Sequence, residues 1–266
     1  MRHRAGRHMR VFAFVLATSF AFGQAVCAAS PARIASLNLC TDELLLALAA
    51  PEQIASLTHL SHDSRESTLW RQAARYSSND GTILSVASIR PDLIVTMGGG
   101  GRDSERLAHA LGAHLIHVPF PSSLADVEAS VITISQAIGR PRQGANLLAR
   151  IRQAVATRPK RSRNAIFVDS GNRSLSPDSA GAQWLALAGF RQIPVEGDSF
   201  DRELLLRARP VTLILNNYRL DQYSRIEASP IGRAQDRRLY TDGRPWTCLG
   251  PTMLSEIMRL RAMAGR

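Results

Sequence analysis

Short aliphatic runs alternate with amphipathic stretches along this chain, and one long segment without a strand interrupts the alternation. This pattern is typical of stacked βα units that share a parallel sheet. Strands are expected at 33–37, 53–58, 93–97 and 115–118, and again at 165–169, 212–216 and 239–241. Helices are expected at 42–50, 83–89 and 103–111, and again at 182–188, 202–208 and 251–263. We therefore predict an α/β protein with two lobes, each built on a mostly parallel sheet.

The interruption between the lobes has the pattern of a helical linker. Residues 122–138 and 141–157 carry apolar side chains at helical spacing, and Gly139 and Pro141 suit the end of the first helix and the start of the second. The second helix would be roughly 25 Å long at 1.5 Å per residue, which suits a stiff rod between two lobes. The expected organisation is an N-terminal lobe at 29–121, a linker at 122–160 and a C-terminal lobe at 161–266.

The N-terminus has the layout of a secretory signal peptide. Residues 1–10 carry four arginines and no acid, and residues 11–26 are mostly apolar and end in small side chains. The apolar stretch is shorter than the roughly 20 residues that a membrane-spanning helix needs. We expect cleavage after Ala28, with cleavage after Ala29 as the alternative, which makes 1–28 the signal peptide and places the mature protein in the periplasm. Cys27 leaves lipidation open as an alternative.

The net charge of +11, from 33 basic and 22 acidic residues, would by itself suggest a nucleic-acid or membrane-surface partner. Lys160 is the only lysine, so 32 of the 33 basic residues are arginines, and they are spread along the chain instead of forming a run. Four of them leave with the signal peptide, which lowers +11 to +7. We therefore predict no nucleic-acid partner. With 45% hydrophobic residues, the chain can bury a substantial core.

Cys40 and Cys248 are the only cysteines left after export. An even pair in an oxidising compartment favours a disulfide, with two buried free thiols as the alternative. Such a bond would tie the first structural unit to the last. Closing so long a loop stabilises the fold by at most about 4–5 kcal/mol.

Catalytic signatures are missing from the sequence. It contains no P-loop, no G-x-S-x-G and no H-E-x-x-H, and the glycines at 98–101 follow a strand without the spacing of a dinucleotide site. These glycines either let the backbone approach a ligand closely or form an ordinary turn. We predict a protein that is not an enzyme and has no cofactor. An exported hydrolase or metal-dependent enzyme that uses Asp169, Ser170 and Asn172 at a strand end stays open as an alternative.

The histidines do not form an evident metal site. His59 and His62 lie in one predicted loop, whereas the second lobe has no histidine. A dedicated zinc or manganese site would need three or four converging ligands. We therefore predict no bare-metal site, and we keep His59 and His62 as candidate contacts to an organic or metal-complex ligand.

Several aromatic residues are expected at strand ends or in loops, where they either form flat walls for a ring-bearing ligand or fill the core. They are Trp70, Tyr76, Phe120, Phe167, Phe200, Tyr218, Tyr223 and Trp246. Asn217, Tyr218 and Arg219 directly follow a predicted strand and offer amide, phenol and guanidinium groups. This combination favours a polar clamp on a ligand.

Three segments carry a resemblance to a known family. The opening RIASLNLCTDELLLAL from Arg33, the RPDLIV strand from Arg90 and the late WTCLGP from Trp246 resemble periplasmic binding proteins of ABC importers for cobalamin, siderophores and heme. The resemblance extends over essentially the whole mature chain. It implies two Rossmann-like lobes joined by a single long α-helix, with a rigid cleft between them. It also implies a monomer that delivers a small molecule to an ABC permease dimer with its ATPase subunits.

The resemblance also implies docking on the permease through one glutamate on each lobe. Glu203 matches the position in the second lobe, whereas Leu84 occupies the corresponding position in the first. Glu66 or Asp80 are candidate substitutes for the missing carboxylate. A periplasmic sensor or scaffold subunit, which would not need this docking, stays open as another class of function.

The ligand is less defined than the family. Cobalamin-binding relatives carry an aromatic residue where this chain has Met97. Heme binders would use His59, His62 or Tyr218, and anionic ferric siderophores would suit Arg102 and Arg219. Cobalamin or a related corrinoid ranks first, ahead of a ferric siderophore and heme. The predicted ligand-binding residues are His59, His62, Met97, Gly98, Arg102, Phe200, Asn217, Tyr218, Arg219 and Trp246.

Overall fold

Two parallel sheets form the frame of the protein in a computed structural model that describes residues 30–98, 101–169, 173–195, 211–217 and 237–264. The first sheet has the order β3-β2-β1-β4-β5, and the second has the order β7-β6-β8-β9. Every strand pair in both sheets is parallel. The predicted α/β class with mostly parallel sheets is confirmed.

The strands of the first sheet are β1 (Ile34–Ser36), β2 (Ile54–Thr58), β3 (Ser77–Asn79), β4 (Leu93–Met97) and β5 (His114–Val118). Those of the second are β6 (Arg163–Val168), β7 (Phe190–Gln192), β8 (Thr212–Asn217) and β9 (Arg237–Asp242). The α-helices are α1 (Leu39–Leu48), α2 (His59–His62), α3 (Trp70–Ala73), α4 (Arg102–Ala110), α5 (Leu124–Ala137), α6 (Pro141–Ala156), α7 (Ala180–Leu187), α8 (Arg244–Cys248) and α9 (Met253–Ala264). Short 3-10 helices occupy Pro51–Gln53 and Leu84–Ile89.

All seven expected strands are present, each with its ends within two residues of the expected positions. The sequence pattern misses β3 and β7, which have three residues each and are too short to show a two-residue period. It also misses the short helices α2, α3 and α8. The expected helix at 202–208 lies outside the described residues.

Helix α1 begins earlier than its pattern predicts. The pattern favours Thr41 or Asp42 as the N-cap, but the Asn38 side chain accepts the N–H of Cys40 at 2.8 Å and caps the helix. Thr41 and Asp42 therefore lie in the first turn, where both are buried. Their side chains are used in tertiary contacts: Thr41 Oγ1 lies 2.7 Å from Ser36 Oγ.

The segment between the sheets holds a packed pair of helices, α5 and α6, so α6 is not an isolated rod. A Cβ atom added to Gly144 of α6 would lie 2.6 Å from Cβ of Ser135 in α5, so the two helices touch at this point. The apolar face of α6, with Leu148 and Ile151, belongs to the same buried cluster as Ile134 of α5. Burial of these apolar faces explains why the helices pair.

A single hydrophobic cluster runs through both lobes and the paired helices. It includes Leu45 of α1, Ile134 of α5, Trp184 of α7, Trp246 of α8 and Ile257 of α9. The lobes therefore share a core at their junction. No helix in these described ranges is both long enough and apolar enough to cross a bilayer.

The predicted disulfide between Cys40 and Cys248 is confirmed. It joins α1 to the end of α8 across 208 positions of the sequence, with the two Cα atoms 5.0 Å apart. Nearby, the Trp184 Nε1–H donates to the carbonyl oxygen of Leu249 at 3.0 Å. The bond thus lies at the junction of the lobes, beside buried packing.

Removal of this disulfide is expected to lower the free energy of unfolding by about 2–5 kcal/mol, because the bond restricts a very long loop in the unfolded chain. Urea unfolding of the wild type and of the Cys40→Ser/Cys248→Ser variant measures the difference. Thiol titration of the denatured, unreduced mature protein is the control. Two reactive thiols in that titration would contradict the prediction.

Candidate functional site

The carboxyl ends of the strands define the candidate site. All strands of a parallel sheet end at the same edge, and ligands of open α/β sheets bind in the crevice outside that edge. In the first sheet, the residues directly after the strands are, in spatial order, Asp80, His59, Leu37, Gly98 and Pro119.

The corresponding edge of the second sheet lies against the first. Cys248 follows β9, Cys40 follows β1, and their disulfide brings these two ends together. Nearby, Arg244 Nη1 donates to the carbonyl oxygen of Ser64, which follows α2, at 2.7 Å. The carboxyl edges of both sheets therefore meet, and the general rule for open α/β sheets makes this junction the candidate position of a ligand cleft.

The two predicted histidines have different environments. Nδ1 of His62 lies 2.9 Å from the carbonyl oxygen of Thr58, and its Nε2 lies 3.1 Å from that of Tyr76. His62 thus fastens α2 to the segment before β3. His59 is exposed, and its Nδ1 lies 3.4 Å from the carbonyl oxygen of Asn79. Of the two, His59 is the more exposed to solvent.

Next to His59 along the edge, Asp80 carries a fixed carboxylate. Its Oδ1 accepts from Oγ1 of Thr82 at 2.7 Å and from the N–H of the same residue at 2.9 Å. These hydrogen bonds, with a smaller contribution from His59, lower the pKa of Asp80 below its ordinary value. Asp80 is exposed, whereas Glu66, the other candidate substitute for a docking glutamate, is buried. Leu84 is 71% exposed.

At the other side of the edge, Gly98 and Phe120 form a surface. Gly98 has φ +67°, a left-handed conformation that favours glycine, and its N–H donates to Val118 at 3.1 Å. A Cβ atom on Gly98 would lie 3.9 Å from Cβ of Phe120, whose side chain is exposed. Met97, one residue earlier, is buried in the core. Phe120 is absent from the predicted ligand set, although its place after a strand was a signal for it.

The remaining predicted residues are dispersed. Arg102 is exposed in the first turn of α4, and Asn217 is half-buried at the end of β8. Trp246 is buried: its Nε1–H donates to Oγ1 of Thr241 at 2.7 Å, and its ring lies 4.6 Å from that of Phe167. The structure therefore places Trp246 in the core beneath the edge. Phe200, Glu203, Tyr218 and Arg219 lie outside the described residues.

Ion pairs occupy the carboxyl edge of the second sheet. Arg244 Nη2 lies 2.6 Å from Oδ2 of Asp242, and Arg173 Nε lies 3.2 Å from Oδ2 of Asp169. Although burial raises the pKa of Asp242, hydrogen bonds and charge from Arg244 hold it below its ordinary value. Asp169 is thus engaged by a cation, while Ser170 and Asn172 lie outside the described residues.

Two buried carboxyl groups lie beneath the junction. Asp42 accepts from the N–H of Thr58 at 3.1 Å, and Oε2 of Glu43 accepts from Oγ1 of Thr252, in the other lobe, at 2.8 Å. Burial raises the pKa of Asp42 to about 6. Burial, with a smaller effect of the Asp42 charge, raises the pKa of Glu43 to about 8. The described ranges contain no group of three or more His, Cys, Asp or Glu side chains suited to a metal ion.

No family model and no curated protein matches the chain in sequence comparisons. Solved structures do match. The periplasmic heme-binding protein RhuT from Roseiflexus sp. RS-1, in apo form, is 18% identical with a TM-score of 0.67, over 86% of this chain and 96% of that one. The periplasmic heme-binding protein BhuT, in complex with two hemes, is 19% identical with a TM-score of 0.64, over 88% and 97% of the two chains.

A third match is the periplasmic vitamin B12-binding protein BtuF of Vibrio cholerae, 14% identical with a TM-score of 0.63, over 88% of this chain and 96% of that one. The chain has the periplasmic binding-protein fold. These matches span nearly the whole of each neighbour, so the fold includes both lobes and the paired helices. All three neighbours are described as binding proteins, and none as an enzyme.

The buried acid at the lobe junction of this fold makes stability depend on pH. The unfolded chain releases the Glu43 proton near the ordinary pKa of 4.5, whereas the folded chain keeps it to about 8. The stabilising contribution of this group is therefore complete below pH 4.5 and is lost as pH rises to about 8. We expect the Glu43→Gln variant to gain stability relative to wild type across this range, as measured by urea unfolding at a series of pH values.

The matched control for this prediction is Glu52→Gln, because Glu52 is an exposed acid of the same lobe. Its unfolding profile should run parallel to that of the wild type. Parallel profiles for Glu43→Gln and the wild type would contradict the prediction.

Proposed function

We propose that the protein is an exported binding protein that captures a corrinoid or an iron complex in the cleft between its lobes and delivers it to an ABC permease. The observation that carries the proposal is that the carboxyl edges of the two parallel sheets meet where the Cys40–Cys248 disulfide joins them. The fold neighbours, described as heme-binding and vitamin B12-binding proteins, support the same class of ligand.

The contacts that join the two lobes suit a binding protein whose cleft is nearly rigid. The disulfide, the shared core and the contact between Thr252 and Glu43 all join the lobes at one side of the cleft. A site that is already formed loses little conformational entropy when it binds. A large flat ligand can therefore be held mainly by its shape and by a few polar contacts.

The spacing of exposed groups in the first lobe favours a metal-bearing macrocycle. His59 follows β2 and Phe120 lies beyond β5, and β1 and β4 lie between these two strands. Three strand spacings place these positions about 14 Å apart, a span that suits the breadth of a flat macrocycle. An imidazole at one side and an aromatic ring at the other provide a metal ligand and an apolar wall. Heme and corrinoids both carry a metal for the imidazole and a flat apolar face for the aromatic ring, whereas an open-chain siderophore gains less from these two groups.

Absorption spectroscopy tests the ligand. Hemin, hydroxocobalamin and a panel of ferric siderophores are titrated into the purified mature protein, and calorimetry follows each hit. We expect a macrocycle to bind at micromolar concentration with a shifted absorption band. The His59→Ala variant should weaken binding by about tenfold or more, or about 1.4 kcal/mol, and should change the spectrum.

His114→Ala is the matched control, because this exposed histidine lies at the start of β5, on the opposite edge of the same sheet. Its affinity should equal that of the wild type. Equal losses in the two variants would contradict the role of His59, and no binding by any compound in the panel would contradict the proposed function.

Delivery to the permease is the second part of the proposal. Glu203 matches the docking position of the second lobe, and its role is inferred from the sequence resemblance. Reversing its charge with Glu203→Lys should weaken the complex with the permease and its ATPase subunits, as measured by pull-down and transport assays. The Glu52→Lys variant provides the same charge change at an exposed site before β2. Unchanged docking and transport in Glu203→Lys would favour a sensor subunit, a class that exposed Leu84 also suits.

A further inference from the structure

The amino edge of the second sheet carries a pocket of about 510 Å3. Its polar lining residues in the described part of the chain are Ser162, Arg163, Asn164, Arg191, Thr212 and Arg237. Arg163, Thr212 and Arg237 are the first residues of β6, β8 and β9, and Arg191 is the second residue of β7. A six-residue strand spans about 20 Å, so the pocket is remote from the candidate cleft.

The pocket concentrates positive charge. Three of its lining residues are arginines, and its described lining contains no acidic side chain. Elsewhere in the described part of the chain, several arginines form ion pairs with carboxylates, as Arg244 does with Asp242. Within the described ranges, Arg163, Arg191 and Arg237 form no such pair. Among the described residues, no carboxylate therefore balances their positive charges.

Two of these guanidinium groups are nevertheless held in place. Nε and Nη2 of Arg191 donate to Oδ1 of Asn164 at 3.0 and 2.7 Å. Nη2 of Arg237 donates to the carbonyl oxygen of Met263 in α9. Both acceptors are neutral, so they orient the guanidinium groups without cancelling their charge. This arrangement is preorganised for an anion.

The loop that leads into β6 adds to the positive potential at this edge. Arg158, Lys160 and Arg161 are exposed in this loop. Pro159 fixes the loop against the turn before β7, because a Cβ atom on Gly189 would lie 2.9 Å from Cγ of Pro159. Clustered cations of this kind raise the local concentration of anions.

We propose that this pocket binds a phosphate group, carried either by inorganic phosphate or by the headgroup of an anionic phospholipid. Guanidinium forks match the paired oxygens of phosphate and form charge-assisted hydrogen bonds with them. Ser162 and the amide nitrogen of Asn164 provide further donors at the same edge. The inference is independent of the ligand in the cleft.

Two binding assays distinguish the sources of the phosphate group. The purified, disulfide-bonded protein is titrated calorimetrically with inorganic phosphate at low salt. It is also sedimented with vesicles of phosphatidylglycerol in phosphatidylcholine, with pure phosphatidylcholine as the baseline. We expect saturable binding in at least one assay. Saturation by inorganic phosphate identifies a soluble anion site, and saturation by the anionic vesicles alone identifies a headgroup site.

The Arg163→Gln variant tests the pocket itself. The Arg163 side chain makes no hydrogen bond within the described ranges, so its replacement removes charge without breaking a hydrogen bond there. We expect this variant to weaken binding by about tenfold, the effect of losing one charge-assisted bond. The Arg150→Gln variant, at an exposed site of α6, changes the net charge equally and should bind as the wild type does.

Two results would overturn the proposal. One is the absence of saturable binding in both assays. The other is an equal effect of Arg163→Gln and Arg150→Gln, which would show a general response to net charge. Thermal melting of both variants verifies that they are folded. Because the cleft ligands are absorbing macrocycles measured separately, failure at this pocket leaves the spectroscopic test of the cleft intact.

Discussion

The junction between the two lobes depends on the Cys40–Cys248 disulfide and the hydrophobic core beside it. The bond joins the start of α1 to the end of α8, and the buried faces of α1, α5, α7 and α9 continue the same cluster on both sides. Because ligands of α/β sheets bind at carboxyl edges, this junction decides where a cleft can lie. The lobes cannot separate at this point without breaking a covalent bond and exposing a shared core.

Polar groups at the same junction make it sensitive to pH. Glu43 reaches across from the first lobe to Thr252 of the second, and Asp42 caps the end of β2 at Thr58. Burial removes these carboxyl groups from water and raises their pKa values. Their hydrogen-bond donors are hydroxyl and amide groups, which offset this effect only in part, so the neutral form is favoured. The stability of the fold at this junction therefore declines as pH rises from acidic to mildly alkaline values.

Charge is distributed differently at the two edges of the second sheet. At the carboxyl edge, among the described residues, Arg244 pairs with Asp242 and Arg173 pairs with Asp169. At the amino edge three arginines are oriented by neutral acceptors or stand without a carboxylate in the described part of the chain. Three arginines are thus concentrated at one edge of this sheet. These three arginines are far apart in the sequence, and they meet because parallel strands gather distant residues at one edge.

Local periodicity predicts the α/β class and the main strands, the number of cysteines favours the disulfide, and residue type makes His59 a candidate contact. Tertiary structure alone decided that α6 packs on α5, that Trp246 and Met97 are buried, and that Phe120 is exposed beside Gly98. It also brought Arg163, Arg191 and Arg237 into one pocket. Strand order and packing between distant elements set which side chains meet and which face water, and neither is encoded in the spacing of neighbouring residues.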